Sequence, residues 1–450
     1  MSYITNEELI KLVTENSNME RIEIALKNGV SPNINNGNVK PLIIIAVQNK
    51  NIEVIKLLLN YGAEINVQDA AGKTALFWAS GRKNYDDIVK LLVENGANPT
   101  ISDKTHTIPL QIAVRKGEKN YVDLMLSTIV PFLSPKGYEL IESTKIASQK
   151  GYVEILLALL TVTKSIETDY DFINCALKEA SMQGQLTTVK TILESEKVFQ
   201  YIGESTPLML SSRKGHLEIM KTLMDEGFDP NLKGYKEQTA LMEASLAGKV
   251  EAMNLLIQRN ADINSRDRDG KTALIMAIEE GHVDVVIGLL ENDANPYLCY
   301  KDKYGNSLNA LMWAACKKNE EIMIVLLDAG VNANFKNEIG ESAVFLAIED
   351  NRWHSTITDI LDKEYDLEGS YRRIVQMFIN KGLDVNIKDR EGNTLTIWAT
   401  LKNYKKVLEL LLSNGAEVML KNNKGKTALD YTRERYICDT IISMLEQHSQ

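Results

Sequence analysis

The residue types that most often carry chemistry are few and scattered in this chain. The four cysteines are far apart and form no C-x-x-C pair, which favours reduced thiols over disulfides or a zinc site: Cys175, Cys299, Cys316 and Cys438. The five histidines belong to no H-E-x-x-H motif and no Ser-His-Asp arrangement. The sequence therefore predicts no catalytic residue, no cofactor-binding residue and no metal site.

One triplet looks like the end of a phosphate-binding loop. Gly270-Lys-Thr272 has the Gly-Lys-Thr order of that motif, but the earlier glycine of the motif is missing. The same triplet recurs at Gly72 and at Gly425. A recurring triplet of this kind indicates the turn of a repeat rather than a nucleotide site.

The segment around the triplet returns along the chain at a fixed period. Leu208, Leu241 and Leu274 occupy its Thr-x-Leu motif and are spaced by 33 residues. The register can be followed through thirteen anchor residues: Ile10, Ile43, Leu76, Leu110, Thr144, Leu177, Leu208, Leu241, Leu274, Leu311, Val344, Thr396 and Leu429. Neighbouring anchors are 31 to 37 residues apart, except for 52 between Val344 and Thr396.

Each repeat contains the sequence signals of a pair of helices. Thr272 can cap the first helix, Ala277 is small enough to let neighbouring helices approach, and Gly281 can end the helix in a left-handed conformation. The second helix has an apolar stripe at helical spacing: Val283, Val286, Leu289 and Leu290. An Asp-x-x-Gly turn such as Asp267 to Gly270 then predicts a hairpin tip.

From near Asn6 to near Leu445 these motifs resemble the ankyrin-repeat family, and the Asn-, Lys- and Ile-rich composition resembles its bacterial or viral members. The resemblance implies an all-α solenoid of about thirteen helix pairs with short β-hairpin fingers. We expect N-terminal repeats with a cap over 1–127 and degenerate, irregular repeats over 128–203. C-terminal repeats with a cap follow over 204–450, with an insertion at about 351–370.

The net charge and the hydropathy pattern of the chain disfavour some classes of partner. A net charge of −10 and a pI of about 5.3 disfavour nucleic acid and anionic membranes. No apolar run reaches the roughly 20 residues of a membrane-spanning helix, and the N-terminus lacks the pattern of a signal peptide. We therefore expect a cytoplasmic protein, with secretion into a host cell as the alternative.

The resemblance implies a non-catalytic scaffold that binds a partner protein through its concave face and finger tips. Two alternatives remain open: a secreted effector or host-range factor acting on a host protein, and an enzyme or small-ligand binder with a site in the irregular middle. Within the family pattern, positions five and six after each anchor lie on the concave face. Their cations predict a basic ladder that holds an acidic segment: Arg82, Arg115, Lys116, Lys150, Arg213 and Lys214. The competing interpretation is solvated side chains at helix C-termini.

The insertion offers a second candidate surface. Trp353, Tyr365 and Tyr371 are residue types enriched at binding hot spots. The competing interpretation is a lengthened helix pair that folds onto the array. Trp78, Trp313 and Trp398 share one register, two residues after their anchors, which predicts core positions.

Overall fold

The computed structural model describes residues 5–34, 40–135, 137–166, 172–195, 205–301, 305–348, 367–433 and 437–449. The chain divides into two compact units, Met1–Tyr201 and Ile202–Gln450, which we call unit 1 and unit 2. In both units the described elements are helix pairs. The division into three segments that the sequence suggests stays a prediction.

The described residues of unit 1 form six helix pairs and a short 3-10 turn at Val130–Phe132. The pairs are α1 (Asn6–Thr14) with α2 (Met19–Lys27), α3 (Leu42–Gln48) with α4 (Ile52–Asn60), α5 (Ala75–Ser80) with α6 (Asp86–Glu94), α7 (Pro109–Lys116) with α8 (Lys119–Leu126), α9 (Tyr138–Lys150) with α10 (Val153–Lys164), and α11 (Phe172–Gln183) with α12 (Leu186–Ser195). First helices pack on neighbouring first helices, and second helices pack on second helices.

Unit 2 contains seven pairs among its described residues. They are α13 (Pro207–Lys214) with α14 (Leu217–Asp225), α15 (Ala240–Leu246) with α16 (Val250–Gln258), α17 (Ala273–Glu280) with α18 (Val283–Glu291), α19 (Ala310–Cys316) with α20 (Glu320–Asp328), α21 (Ala343–Ile348) with α22 (Leu367–Asn380), α23 (Leu395–Lys402) with α24 (Lys405–Ser413), and α25 (Ala428–Thr432) with α26 (Asp439–Gln447). The thirteen pairs confirm the predicted all-α array.

The first helices begin and end where the repeat motif predicts. The Thr272 hydroxyl accepts a hydrogen bond from the Ile275 N–H at 3.3 Å, which satisfies one of the donors that a helix start leaves open. Gly281 ends α17 at φ 75°, in the left-handed region that glycine enters without strain. The same threonine cap is present in five other repeats: Thr74, Thr206, Thr239, Thr394 and Thr427.

A small residue three positions after the anchor lets the first helices approach each other. Ala277 is 0% exposed, and the equivalent residues are buried in every other repeat from the second to the twelfth: Ala46, Ala79, Ala113, Ala147, Ala180, Ser211, Ala244, Ala314, Ala347 and Ala399. A larger side chain at this position would overpack the interface between two repeats. The core is therefore a continuous layer within each unit rather than a single centre.

The fingers are closed mainly by turns. The Asp267 carboxylate accepts hydrogen bonds from the Asp269 and Lys271 N–H groups at 3.0 and 2.8 Å, and so holds the Asp-x-x-Gly tip closed. One finger forms a two-stranded antiparallel hairpin, β1 (Tyr300–Lys301) with β2 (Ser307–Leu308). Within the described residues, two more fingers have a single β-bridge, Lys336 with Ser342 and Lys388 with Thr394.

Asparagine side chains join the exit of one repeat to the next. Asn33 donates to the Gly62 carbonyl, 29 residues ahead, and accepts from the Glu64 N–H. The bridge recurs at Asn66, Asn231, Asn264 and Asn334. Asn334 donates to Gly382, 48 residues ahead, so this repeat holds 19 residues more than the repeat of Asn33. Residues 349–366, which belong to it, lie outside the described part.

We predict that truncating a buried side chain of a second helix lowers stability more than truncating an exposed side chain of the same helix. Leu326 and Ile324 both lie in α20, but Leu326 is 0% and Ile324 43% exposed. Leu326→Ala should lower the free energy of unfolding by about 2 to 5 kcal/mol, because it leaves a cavity between repeats. Ile324→Ala should cost less than about 1 kcal/mol. Urea denaturation followed by circular dichroism measures both, and equal losses would contradict the assigned faces.

Candidate functional site

The first helices and the bases of the fingers form one surface in each unit, which we call the first-helix face. Four of the predicted cations lie exposed on it. Arg115 and Lys116 end α7, Lys150 ends α9 and Lys214 ends α13. Within the described part of the chain, none of the four forms a hydrogen bond or an ion pair through its side chain. They remain available to a partner, and they also complement the negative end of each helix dipole.

Arg82 is engaged within the protein. Its guanidinium donates to the Gln48 carbonyl of the preceding repeat at 2.9 Å and to the Tyr85 hydroxyl at 3.0 Å. Its central carbon lies 5.7 Å from the centroid of the Trp78 ring. Arg82 is half-buried. It therefore links two repeats and keeps part of its charge at the surface, which differs from the solvated side chain of the competing interpretation.

Arg213 is paired within unit 2. Its Nε atom lies 3.7 Å from the Glu243 carboxylate, and the Arg213 side chain is 57% exposed. Glu243 occupies the same position in its repeat as Trp78, two residues after the anchor, and is 8% exposed. An acidic partner would have to compete with this internal carboxylate. The assignment of Arg213 to the basic ladder stays a prediction.

The structure describes one of the three aromatic residues that the sequence assigns to the insertion surface. Tyr371 is 3% exposed, and its ring packs against Trp398 and Tyr404 at centroid distances of 5.6 Å. As a core residue of α22 it is not available to a partner, which corrects its assignment. Trp353 and Tyr365 lie outside the described residues.

The register of the tryptophans predicts core positions, and the structure agrees in part. Trp313 is 5% exposed, whereas Trp78 and Trp398 are half-exposed on the first-helix face. The Trp78 indole N–H donates to the Asp69 carboxylate at 2.9 Å, which fixes the ring orientation. Trp78 therefore presents part of its ring on the surface of unit 1.

Sequence reasoning missed two lysines that converge on this ring. The Nζ atoms of Lys40 and Lys73 lie 5.4 and 5.3 Å from the centroid of the Trp78 ring. Both lysines stand three residues before their anchors, Ile43 and Leu76. We call Lys40, Lys73, Arg82 and Trp78 the Trp78 cluster. The recurring lysine at this register was the available signal, because equivalent positions of adjacent repeats lie side by side.

Glu243 is the buried carboxylate of the unit 2 face. Burial raises the pKa of Glu243 above its ordinary value of 4.5, and the charges of Arg213 and Lys236 oppose that rise. Its Oε2 atom is buried and accepts no hydrogen bond. A carboxylate in this position is destabilising when it is ionised.

The repeated helix pairs correspond to a known protein family. A family model described as ankyrin repeats in three copies matches residues 9–103, 43–140, 144–234, 208–299 and 366–445, and a single ankyrin repeat matches residues 306–338. The chain belongs to the ankyrin-repeat family. Ankyrin repeats are in general protein–protein interaction modules.

Two further comparisons bear on the ankyrin array. No curated protein matches the chain. Among solved structures, the human ASB11 ankyrin repeat domain is similar at 22% sequence identity, with a TM-score of 0.39. The match covers 55% of this chain and 99% of the ASB11 chain.

The described ankyrin repeats contain neither a metal-binding cluster nor a membrane-spanning helix. Across these residues, no group of three or more His, Cys, Asp or Glu side chains is placed to hold a metal ion. None of the described helices combines the length and the apolar run that a membrane span requires.

We predict that Glu243→Gln stabilises the protein at neutral pH. Because the folded-state pKa of Glu243 is raised, its favourable contribution is present below the ordinary pKa and is lost as pH rises through the folded pKa. Each unit of that pKa difference corresponds to about 1.4 kcal/mol. Urea denaturation between pH 4 and 8 should show a stability gap that widens with pH.

Glu280→Gln is the matched control for Glu243→Gln, since it removes the same charge from an exposed position of the next repeat. A gap of the same size and the same pH dependence in this control would show that net charge, rather than burial, explains the effect.

Proposed function

We propose that this chain is a non-catalytic scaffold that binds an acidic segment of a partner protein through its first-helix face. The observation that carries the proposal is a set of exposed cations from different repeats of unit 1, Arg115, Lys116 and Lys150, that have no carboxylate partner among the described residues. Cations on one face without internal partners favour an acidic ligand and speed its approach. Membership of the ankyrin-repeat family supports a protein as that ligand.

The proposed compartment is the cytoplasm. Four cysteines without a C-x-x-C pair in 450 residues suit a reducing environment, and the net charge of −10 disfavours nucleic acid as the main ligand. The Asn-, Lys- and Ile-rich composition supports a bacterial or viral origin within this proposal.

Charge reversal tests the proposed surface. Arg115→Glu with Lys116→Glu should abolish capture of those proteins from a cell lysate that the wild type retains, because both side chains are exposed at the end of α7. Circular dichroism should be unchanged. Capture by the wild type should weaken as salt rises above physiological strength, since screening acts on exposed pairs. Quantitative mass spectrometry of the captured proteins provides the measurement.

The matched control reverses two charges on second helices. Lys56→Glu with Lys90→Glu makes the same change in net charge on α4 and α6, away from the first-helix face. Capture by this variant should equal that of the wild type. If both double variants lose the same proteins to the same extent, net charge governs capture and the proposed surface is wrong.

A further inference from the structure

Three cations of unit 1 converge on one indole, and none of them has an ion-pair partner among the described residues. Lys40, Lys73 and Arg82 lie between 5.3 and 5.7 Å from the centroid of the Trp78 ring, and none of the three forms an ion pair there. A cation over an aromatic face is attracted by the ring quadrupole but keeps its formal charge. The ring therefore holds the cations in place and leaves their charge available.

The nearby carboxylates are engaged by their own turns. The Asp69 carboxylate accepts from the Trp78 indole through one oxygen, and from the Ala71 and Lys73 N–H groups through the other. The Asp103 carboxylate accepts from the Thr105 and Thr107 N–H groups of its own finger through one oxygen. Although burial acts to raise it, the pKa of Asp103 is lowered by the hydrogen bonds of that finger and, after them, by the charge of Lys73. Neither carboxylate forms an ion pair with the lysines over the ring.

At the same register of unit 2, a lysine is paired with a carboxylate of its own repeat. Lys271 stands three residues before its anchor, as Lys40 and Lys73 do, and pairs with Glu279 at 2.6 Å. Both side chains of this pair are largely buried, at 23% and 16% exposure. Glu279 stands eight residues after its lysine. An internal carboxylate thus occupies the position that an external ligand would take.

Unit 1 lacks that carboxylate in both of its lysine repeats. Eight residues after Lys73 stands Gly81, which has no side chain. Eight residues after Lys40 stands Gln48, whose neutral amide oxygen accepts from the Lys40 ammonium at 3.4 Å. An ammonium group has three donors, so both lysines retain donors for a ligand.

We propose that the Trp78 cluster is the binding site for a carboxylate-rich peptide segment of a partner protein, and that the repeat of Lys271 does not provide an equivalent site because Glu279 occupies it. The inference rests on the proposed function and assigns it to unit 1. Ligand carboxylates supply to Lys40 and Lys73 what Glu279 supplies to Lys271. Because the ring already restrains the cations, they lose less side-chain entropy on binding than solvated lysines would.

The sharpest test copies the unit 2 arrangement into unit 1. Gly81→Glu places a carboxylate eight residues after Lys73 and removes no cation. The site tolerates a side chain, since Gly81 has φ −89° and an added Cβ would meet Ile112 at 3.4 Å, an ordinary contact. The probe is a fluorescein-labelled decaglutamate peptide, and fluorescence anisotropy with the full-length chain gives its Kd.

The expected results distinguish the effect of the added negative charge from the effect of the added side-chain volume. Gly81→Glu should weaken decaglutamate binding by about tenfold or more, whereas Gly81→Gln, of the same size but neutral, should stay within about twofold of wild type. Lys40→Gln with Lys73→Gln should weaken it as Gly81→Glu does, and keeps the test decisive if Gly81→Glu fails to fold. Equal binding by wild type and Gly81→Glu would overturn the assignment.

Two further arms distinguish this inference from the proposed function. If Arg115→Glu with Lys116→Glu abolishes binding and the Gly81 and lysine variants do not, the site assignment is wrong and the proposed function stands. If the wild type does not bind decaglutamate at all, both fail. A single-stranded decathymidine that binds as tightly as decaglutamate would also overturn the inference, because it would show a general polyanion site.

Discussion

The spacing between neighbouring repeats is the constraint on which the rest of this protein depends. It is set on one side by the buried small residue of each first helix, such as Ala277, and on the other by the asparagine bridge, such as Asn33 to Gly62 and Glu64. Since a repeat contacts only its neighbours, no distant contact corrects an error in this spacing. A constant spacing places equivalent positions of successive repeats side by side. Residues that share a register in the sequence therefore form one continuous surface.

A surface built in this way makes charge pairing depend on a few residues in the repeat. A lysine three residues before the anchor reaches the side chain eight residues after it, so the same lysine is paired in one repeat and unpaired in another. Lys271 has Glu279 as its partner, while Lys73 has Gly81 at the same place. Both repeats keep the helix pair, although α5 has 6 residues and ends before Gly81, while α17 has 8 and includes Glu279. The binding properties of the two units can therefore diverge through single substitutions that cost the fold little.

The local signals in the sequence predicted most of the fold and less of the site. Caps such as Thr272 depend on residues a few positions apart, so periodicity alone locates them. The contacts of Arg82 and Lys40 cross between repeats and depend on side-chain conformation, which periodicity does not specify. Tyr371 is a different case, because it begins an apolar stripe at helical spacing with Ile374, Val375 and Phe378. This apolar stripe is visible in the sequence, but the irregular length of the repeat led to the assignment of Tyr371 to the insertion.

If the Trp78 cluster binds an acidic segment as proposed, a local cluster of cations on a chain of net charge −10 would recognise its partner differently from a basic protein. At low salt, where the Debye length is about 30 Å at 0.01 M, an acidic partner is repelled by the whole chain. At physiological salt that length is about 8 Å, so the repulsion is screened while contacts with Lys40, Lys73 and Arg82 persist. Further salt weakens those contacts as well. Binding should therefore be strongest at intermediate salt, whereas the affinity of a basic nucleic-acid-binding protein falls steadily as salt rises. The proposed recognition would depend on the arrangement of a few charges and not on their total.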